Sequence, residues 1–401
     1  MTKLKNVVVI NDFDYIQGGA SKVAIQTANL LVEQDENLKV YFFSAVHEDS
    51  TTLDKRVINI CTNQNEALKN KNRFSGFING IYNFKAKKEL KKLLKSLNRE
   101  ETIIHIHGWT KALSSSVFDI SFKLHFRVVL TLHDYFTACP NGGYFNYKKN
   151  EICHLKPLSY KCIKCNCDSR NYIFKIYRVI RQFVQNKIVR LNDRLTDVVS
   201  ISEFSERILK TTLNKNVNIY RVSNPIDIDK NSSKVDYKKN EYYLYVGRVT
   251  KEKGVDIFCN AVSEAKVKGV VVGDGSELNT LKEQFPNIVF TGWKNSDEVK
   301  KYMKKAKALV IPSRWYEGAP LTPLEAMQYG IPIISSDCNA TIDYINEKNG
   351  KTFNIEKNNL AEILIDFPND FYPSLKNIQK NYADEIFRVY NEINKRKEWE
   401  K

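Results

Sequence analysis

Residues 311–337 read IPSRWYEGAPLTPLEAMQYGIPIISSD. Two apolar runs bracket the stretch, Ala308–Pro312 and Ile331–Ser336, each short and continuous in the manner of buried parallel strands. Between them the spacing predicts a loop and then a helix. Thr322 suits an N-cap, Pro323 the first helical position, and Gly330 the close of the helix. The loop then delivers Glu317, Gly318 and a helix N-terminus to the carboxyl end of a strand. Open α/β sheets bind ligands there, and free N–H groups with the helix dipole favour phosphate. Glu325 has two readings: it closes a capping box with Thr322, or it contacts a ligand. Glu317 sits between Tyr316 and Gly318 with no partner evident in the sequence.

Working outward, Tyr242–Val246, Gly269–Val272 and Ile288–Thr291 alternate with helical segments, so the second half predicts a doubly wound parallel sheet. Its strands end in Gly247-Arg248, Gly273-Asp274-Gly275 and Gly292-Trp293, and Arg248 and Lys253 share the stretch GRVTKEKG. The first half repeats the pattern. Val7–Ile10 is a strand, and from Ala20 the apolar residues recur at helical spacing, which puts Gly18 and Gly19 at a strand-to-helix turn where backbone can approach a phosphate. Lys39–Ser44, Ile103–His107, Val128–His133 and a last strand, Val198–Ser202, follow. His107 and His133 each stand at a strand's carboxyl end. Val222–Tyr237, with Asn224-Pro225 and Asn231-Ser232-Ser233, has linker composition. The expected organisation is a first domain over 1–222, a second over 223–381 and a closing helix over 382–401.

A chain of 401 residues favours two domains. Its 62 Lys and Arg against 46 Asp and Glu leave a net charge of +16, which points to an anionic partner. No apolar run approaches the ~20 residues that span a bilayer, and Val7–Ile10 is followed at once by Asp12 and Asp14, unlike a signal peptide. A cytoplasmic chain with eight reduced cysteines is expected. Two stretches bear on membranes. Phe74, Phe77 and Ile78 precede a lysine run from Lys85 to Lys95, read either as a solvated surface helix or as an interfacial one drawn to anionic lipid. Tyr172–Leu191, with Lys175, Arg178, Arg181, Lys187 and Arg190, reads either as a covering helix or as a second membrane-facing surface.

Five cysteines cluster over 139–167, in a polar insertion too short for a core of its own. In a reducing compartment, Cys162-x2-Cys165 is a metal-knuckle spacing. The expectation is a structural tetrahedral zinc on Cys139, Cys153, Cys162 and Cys167.

Glu317-Gly-Ala-Pro-Leu-Thr-Pro-Leu-Glu325, with the flanking Pro312-Ser313, Ala326-Met327 and Gly330-Ile331-Pro332, resembles the E-x7-E motif of retaining glycosyltransferases of family 4. The resemblance is best over 242–337 and thinner in the first half. It implies the GT-B fold, two Rossmann-like doubly wound domains facing across a cleft. It also implies transfer of a sugar from a nucleotide-diphosphate sugar to a glycan or lipid-linked acceptor in cell-surface polysaccharide synthesis. Arg248 and Lys253 would hold the diphosphate, with Gly18 and Gly19 beneath it. Glu325 would bond the ribose hydroxyls, and Glu317 with the backbone at Gly318 and Ala319 would hold the sugar. Gly273, Leu321 and Thr322 complete the donor contacts, and His133 would approach the transferred sugar. No catalytic divalent metal and no nucleic-acid partner are expected. Work at the inner face of the cell membrane is. Three rival readings stand beside this one. The first is a GT-B sugar-nucleotide epimerase. The second is a metal-dependent GT-A enzyme using Asp12-Phe-Asp14 or Asp227-Ile-Asp229. The third is a basic nucleic-acid-binding protein with a zinc knuckle.

Overall fold

The computed structural model describes residues 3–226, 233–374 and 381–396. Asp227-Ile228-Asp229, Asn231, Ser232 and the part of the expected closing helix past Arg396 lie outside the described residues. The chain divides into two compact units. Met1–Gly142, Leu155–Pro225 and Asn381–Lys401 make the first; Gly143–His154 and Ile226–Lys380 make the second.

In the first unit β1 (Asn6–Ile10), β2 (Lys39–Ser44), β3 (Ile58–Cys61), β4 (Thr102–Ile106) and β5 (Arg127–Leu132) precede the insertion. The hairpin of β6 (Phe145–Asn146) and β7 (Glu151–Ile152) belongs to the second unit. β8 (Asp197–Ser200) and β9 (Asn218–Arg221) complete a parallel sheet ordered β3-β2-β1-β4-β5-β8-β9. β1, β4 and β5 are buried throughout, as central parallel strands covered on both faces must be. One face packs on the helix Gly19–Gln34 and on the C-terminal helix Tyr382–Lys395, whose Ile386, Val389, Tyr390 and Ile393 join Val23, Ala28 and Leu31 in a single apolar cluster. The second unit holds β10 (Tyr242–Val246), β11 (Lys268–Val272), β12 (Val289–Phe290), β13 (Ala306–Ile311), β14 (Ile333–Ser336) and β15 (Gly350–Phe353) in the order β12-β11-β10-β13-β14-β15, again parallel.

Five strands escape the sequence reading: β3, β6, β7, β9 and β15, with β6 and β7 only two residues each. β3 and β9 are short edge strands, and neither has a buried residue, so no apolar run marks them. β15 is buried only at its two ends. Val198–Ser202 is therefore not the last strand of its sheet. The lysine-rich stretch is two helices rather than one. Arg73–Ile81 ends at Tyr82, and the buried Asn83 caps Phe84–Lys95 by accepting the Ala86 N–H at 2.9 Å. Leu90, Leu93 and Leu94 turn inward, while Lys85, Lys88, Lys91, Lys92 and Lys95 stay in solvent.

The helix Tyr172–Phe183 turns its basic residues inward. Lys175 and Arg181 are buried, and Arg178 pairs at 2.6 Å with the buried Asp168. The Arg181 guanidinium donates to the carbonyls of Thr110 and Pro140. Ile173, Ile180 and Phe183 instead face out, Ile173 being 78% exposed. This helix is amphipathic with its charges inward. Among the described residues no helix is long and apolar enough to cross a membrane.

The expected zinc ligands Cys162 and Cys167 meet a different partner in the structure. Among the described residues no group of three or more His, Cys, Asp or Glu side chains is arranged to hold a metal ion. The physical reason is a cation already in place: the Lys175 ammonium lies 3.5 Å from Cys162 Sγ and 3.3 Å from Cys167 Sγ. A divalent ion there would meet a buried positive charge rather than a ring of donors.

Candidate active site

Each sheet reverses its strand order at one point, between β1 and β4 in the first unit and between β10 and β13 in the second. Ligands of open α/β sheets bind at the carboxyl ends of strands flanking such a point. The residues singled out in the sequence fall there.

In the second unit, Lys253 lies in the loop after β10 and Glu317 in the loop after β13. The Lys253 ammonium donates to Glu317 Oε1, and the buried Ser313 hydroxyl donates to Oε2 at 2.5 Å. Burial by itself would raise the Glu317 pKa. Lys253, Ser313 and, more distantly, Arg248 prevail and hold it below the ordinary carboxylate value. Glu317 thus has partners that its sequence neighbourhood does not advertise. Its backbone is fixed too: the Glu317 carbonyl accepts the Ala340 N–H at 3.0 Å. The buried Asn339 next door donates to Ser335 Oγ and Ser336 Oγ, each at 2.9 Å, at the carboxyl end of β14. A second tie joins the two loops: the Arg314 guanidinium forks onto both Asp256 oxygens at 2.5 and 2.6 Å. Lys253 also lies 5.3 Å from the centre of the Trp315 ring. Arg248 is largely exposed and only loosely paired, 3.6 Å from Glu252.

The glycines of this edge have backbone reasons. Gly247 and Gly273 both have positive φ, and a Cβ on Gly273 would lie 1.8 Å from the Gly247 carbonyl oxygen. Gly254 has φ of +65° and would place a Cβ 1.9 Å from the Pro312 carbonyl oxygen. It is the residue that lets the Lys253 loop lie against the end of β13. Gly254→Ala is expected to destabilise the second unit by about 2 kcal/mol or more, read as a lower urea midpoint; an unchanged midpoint contradicts this packing.

The helix after Glu317 runs Thr322–Gln328 with Leu321 as its N-cap and no side-chain cap. The cap lies one residue earlier than the sequence suggests, so Thr322 and Glu325 do not stand in capping-box register. Glu325 sits on this helix, while Gly318 and Ala319 lie in the loop before it.

In the first unit the same logic places Gly18, Gly19, His107 and His133 at the carboxyl edge. Gly18 caps the helix Gly19–Gln34, and no heavy atom lies within 4 Å of a Cβ built on Gly18 or Gly19. His107 Nδ1 and His133 Nε2 share a hydrogen bond of 2.9 Å. Burial lowers both pKa values, that of His133 to about 3, so the pair is neutral and one ring donates to the other. His133 is part-exposed while His107 is buried behind it. Asp134, next in the chain, was not among the sequence candidates. Burial raises its carboxyl to about 6, and the signal for it was its place directly after a strand. Asp12 and Asp14 prove structural. Asp12 accepts the backbone N–H groups of Lys111, Ala112 and Leu113 at 2.8–2.9 Å, and Asp14 accepts from His47 at 2.6 Å and Asn59 at 2.8 Å. That leaves Asp12-Phe-Asp14 committed to loops.

Residues 227–383 match the family described as Glycosyl transferases group 1. An uncharacterized 41.2 kDa protein in the cps region of Klebsiella pneumoniae is 30% identical over 156 residues, 38% of this chain and 43% of that protein. A UDP-Gal:alpha-D-GlcNAc-diphosphoundecaprenol alpha-1,3-galactosyltransferase of Escherichia coli is 30% identical over 143 residues, 32% of this chain and 36% of that protein. The chain thus spans less than half the length of these curated relatives. Anabaena HepE in complex with UDP-glucose superposes over 97% of both chains with a TM-score of 0.61 at 13% identity. The fold of this chain is therefore that of the GT-B glycosyltransferases, two parallel-sheet α/β units.

Proposed function

We propose that the chain is a retaining glycosyltransferase of the family 4 type, transferring a sugar from a nucleotide-diphosphate sugar to a glycan or lipid-linked acceptor. The observation that carries this reading is the gathering of Lys253 and Ser313 on Glu317, the first glutamate of the E-x7-E segment, at the point where the second sheet reverses its order. Without donor, Lys253 and Glu317 neutralise each other. A diphosphate arriving at the loop after β10 offers Lys253 a better partner, and Glu317 is then released to accept from sugar hydroxyls. Arg248, already exposed, joins Lys253 on the phosphates, where two cations stabilise charge developing on the leaving group. Glu325 binds the ribose and the backbone at Gly318 and Ala319 the sugar. Attack on the same face as departure, guided by the leaving phosphate, gives retention. The relatives' names support the donor and acceptor classes: one uses UDP-Gal and a diphosphoundecaprenol-linked sugar, and HepE binds UDP-glucose.

The test is a thermal-shift screen against UDP, GDP and ADP sugars. A ligand at a hundred times its dissociation constant adds about 2.7 kcal/mol. In Arg248→Ala and Lys253→Ala, affinity for the nucleotide diphosphate is expected to drop far more than affinity for the nucleoside. Equal losses contradict the assignment of both cations.

We further infer that the first unit rests on the anionic inner face of the membrane, where a lipid-linked acceptor is reached. The helix Tyr172–Phe183 turns Ile173, Ile180 and Phe183 to solvent, and the adjacent helix Arg73–Ile81 adds Phe74, 74% exposed, with Phe77 5.0 Å from Tyr177 between them. Exposed Lys69, Lys71 and Arg73 border this apolar surface. Each such base near an anionic surface contributes about 1 kcal/mol. Co-sedimentation with anionic liposomes is expected, weakening with salt, with Phe74→Ser and Ile173→Ser, and with lysine-to-glutamate changes at Lys88 and Lys91. Wild-type chain that ignores such liposomes at low salt removes the membrane reading and leaves the transferase reading standing.

A further inference from the structure

Lys175 is a buried ammonium that meets no carboxylate among the described residues. It rises from the first turn of the helix Tyr172–Phe183 into a pocket of sulfur, and its hydrogen bonds go to Cys167 Sγ at 3.3 Å and Cys162 Sγ at 3.5 Å. The nearest acid in sequence, Asp168, is already engaged by Arg178 at 2.6 Å and by the Arg170 N–H at 2.9 Å. Cys162, Cys167 and Cys139 are buried as well. Cys167 is held in place from both ends, because Asn141 Nδ2 donates to its carbonyl at 2.9 Å and to its sulfur at 3.2 Å. Cys162 is fixed by a short helix that Ser159 caps at the Cys162 N–H. An isolated ammonium is costly to bury. Here it is offset only if a neighbouring thiol gives up its proton, or if the amine itself stays neutral beside a thiol. The two forms differ by one proton moving along the Nζ–Sγ contact. Burial pushes the Cys167 thiol up to about 12; at Lys175 burial works against the charge but the neighbouring sulfurs outweigh it and raise its pKa, so the amine gives its proton to solvent before it reacts.

We propose that Lys175 and the cysteine pair Cys162 and Cys167 form a redox site, in which Lys175 Nζ becomes covalently joined through one oxygen atom to Sγ of Cys167 or Cys162. The reactants are the neutral amine, the thiol and one molecule of dioxygen. One oxygen atom is inserted between sulfur and nitrogen, making an S–O and an N–O bond. The other leaves as water with the thiol hydrogen and one amine hydrogen. Four electrons pass to dioxygen, two from sulfur and two from nitrogen. A thiol reductant reverses the link. Dioxygen is small and apolar enough to reach a buried site that larger oxidants do not. The link would pin the first turn of the helix whose outer face is the exposed apolar surface, and it does not rest on the transferase reading.

The experiment uses the full chain, reduced and then held in air-saturated buffer, with free thiols alkylated before digestion by a protease that does not cut at lysine. Mass spectrometry is expected to find the Lys175 peptide joined to a Cys167 or Cys162 peptide, one oxygen heavier and two hydrogens lighter than the sum of the two. Dithiothreitol is expected to remove the species. Lys175→Met, apolar and of similar length, should abolish it and leave both thiols open to alkylation. Should Lys175→Met fail to fold, Cys162→Ser and Cys167→Ser examined singly each leave one possible link, and loss of the species in the pair together serves the same purpose. A Cys162–Cys167 disulfide, stoichiometric zinc in the purified protein that shields the thiols, or fully alkylatable thiols after exposure to air would each overturn the proposal.

Discussion

In Glu317→Gln, sugar transfer is expected to fall by about two to three orders of magnitude while the chain still folds. The carboxylate is buried, yet Lys253 and Ser313 keep it ionised below its ordinary pKa, so it is a strong acceptor in a site shielded from water. An amide at the same position keeps the shape and loses the charge. Stability should change by only about 1–2 kcal/mol, because Lys253 is partly exposed and keeps the Trp315 ring at 5.3 Å. Initial rates and a melting curve on the same preparation separate the two effects. Turnover close to wild type removes Glu317 from the mechanism. A collapsed melt shows that its work is structural.

The second large effect concerns acid. Burial pushes the pKa values of His105, His107 and His133 below the ordinary 6.5, that of His105 to about 3. His105 is committed on both ring nitrogens, to Tyr390 and to Thr131, each at 2.7 Å. A histidine kept neutral by the fold takes up its proton at higher pH once the chain unfolds. From pH 6.5 down to about 3 the unfolded chain therefore binds more protons, and stability is lost as pH falls through that window. Each fully shielded ring contributes about 1.4 kcal/mol per pH unit; the part-exposed His133 contributes less. Asp12 and Asp134, whose pKa values burial raises, act in the opposite sense. The clean measurement is thus a difference. Urea midpoints of wild type and His107→Gln, taken between about pH 6.5 and pH 5, should diverge, the variant showing a pH dependence shallower by about 1.4 kcal/mol per unit. Parallel curves would show that His107 already carries a proton in the fold.

These residues also mark what was legible beforehand. The buried strands of both sheets could be read because apolar residues dominate β1, β5, β10 and β13 and open β14, and the E-x7-E segment could be placed because its two flanking strands are of this kind. Edge strands such as β3 lack that run. The partners of Glu317 were hidden for a different reason: Lys253 is far away in sequence and comes near only because β10 and β13 are neighbours. The helix Tyr172–Phe183 shows a third limit. Periodicity reveals that a helix has two faces, not which one turns inward. Here Asp168, two backbone carbonyls and a pair of sulfurs draw the basic face in, and none of these lies on the helix itself.

The C-terminal helix carries a consequence for the order in which the molecule can be built. Tyr390 supplies the hydroxyl that binds the buried His105, Tyr382 bonds Thr27 at 2.7 Å, and Ile386 and Val389 pack onto the helix that follows β1. A ribosome delivers β1 first and this helix last. Domains ordinarily fold as their sequence emerges, but here the first domain begun is the last one finished. While the second unit is being synthesised, the flank of the first, with Val23, Ala28 and Leu31, has no cover from its own chain. A nascent chain stalled anywhere before Tyr382 is thus a substrate for chaperones or proteases rather than a half-finished enzyme, and only the emergence of Tyr382–Lys395 lets this helix close over the one that follows β1.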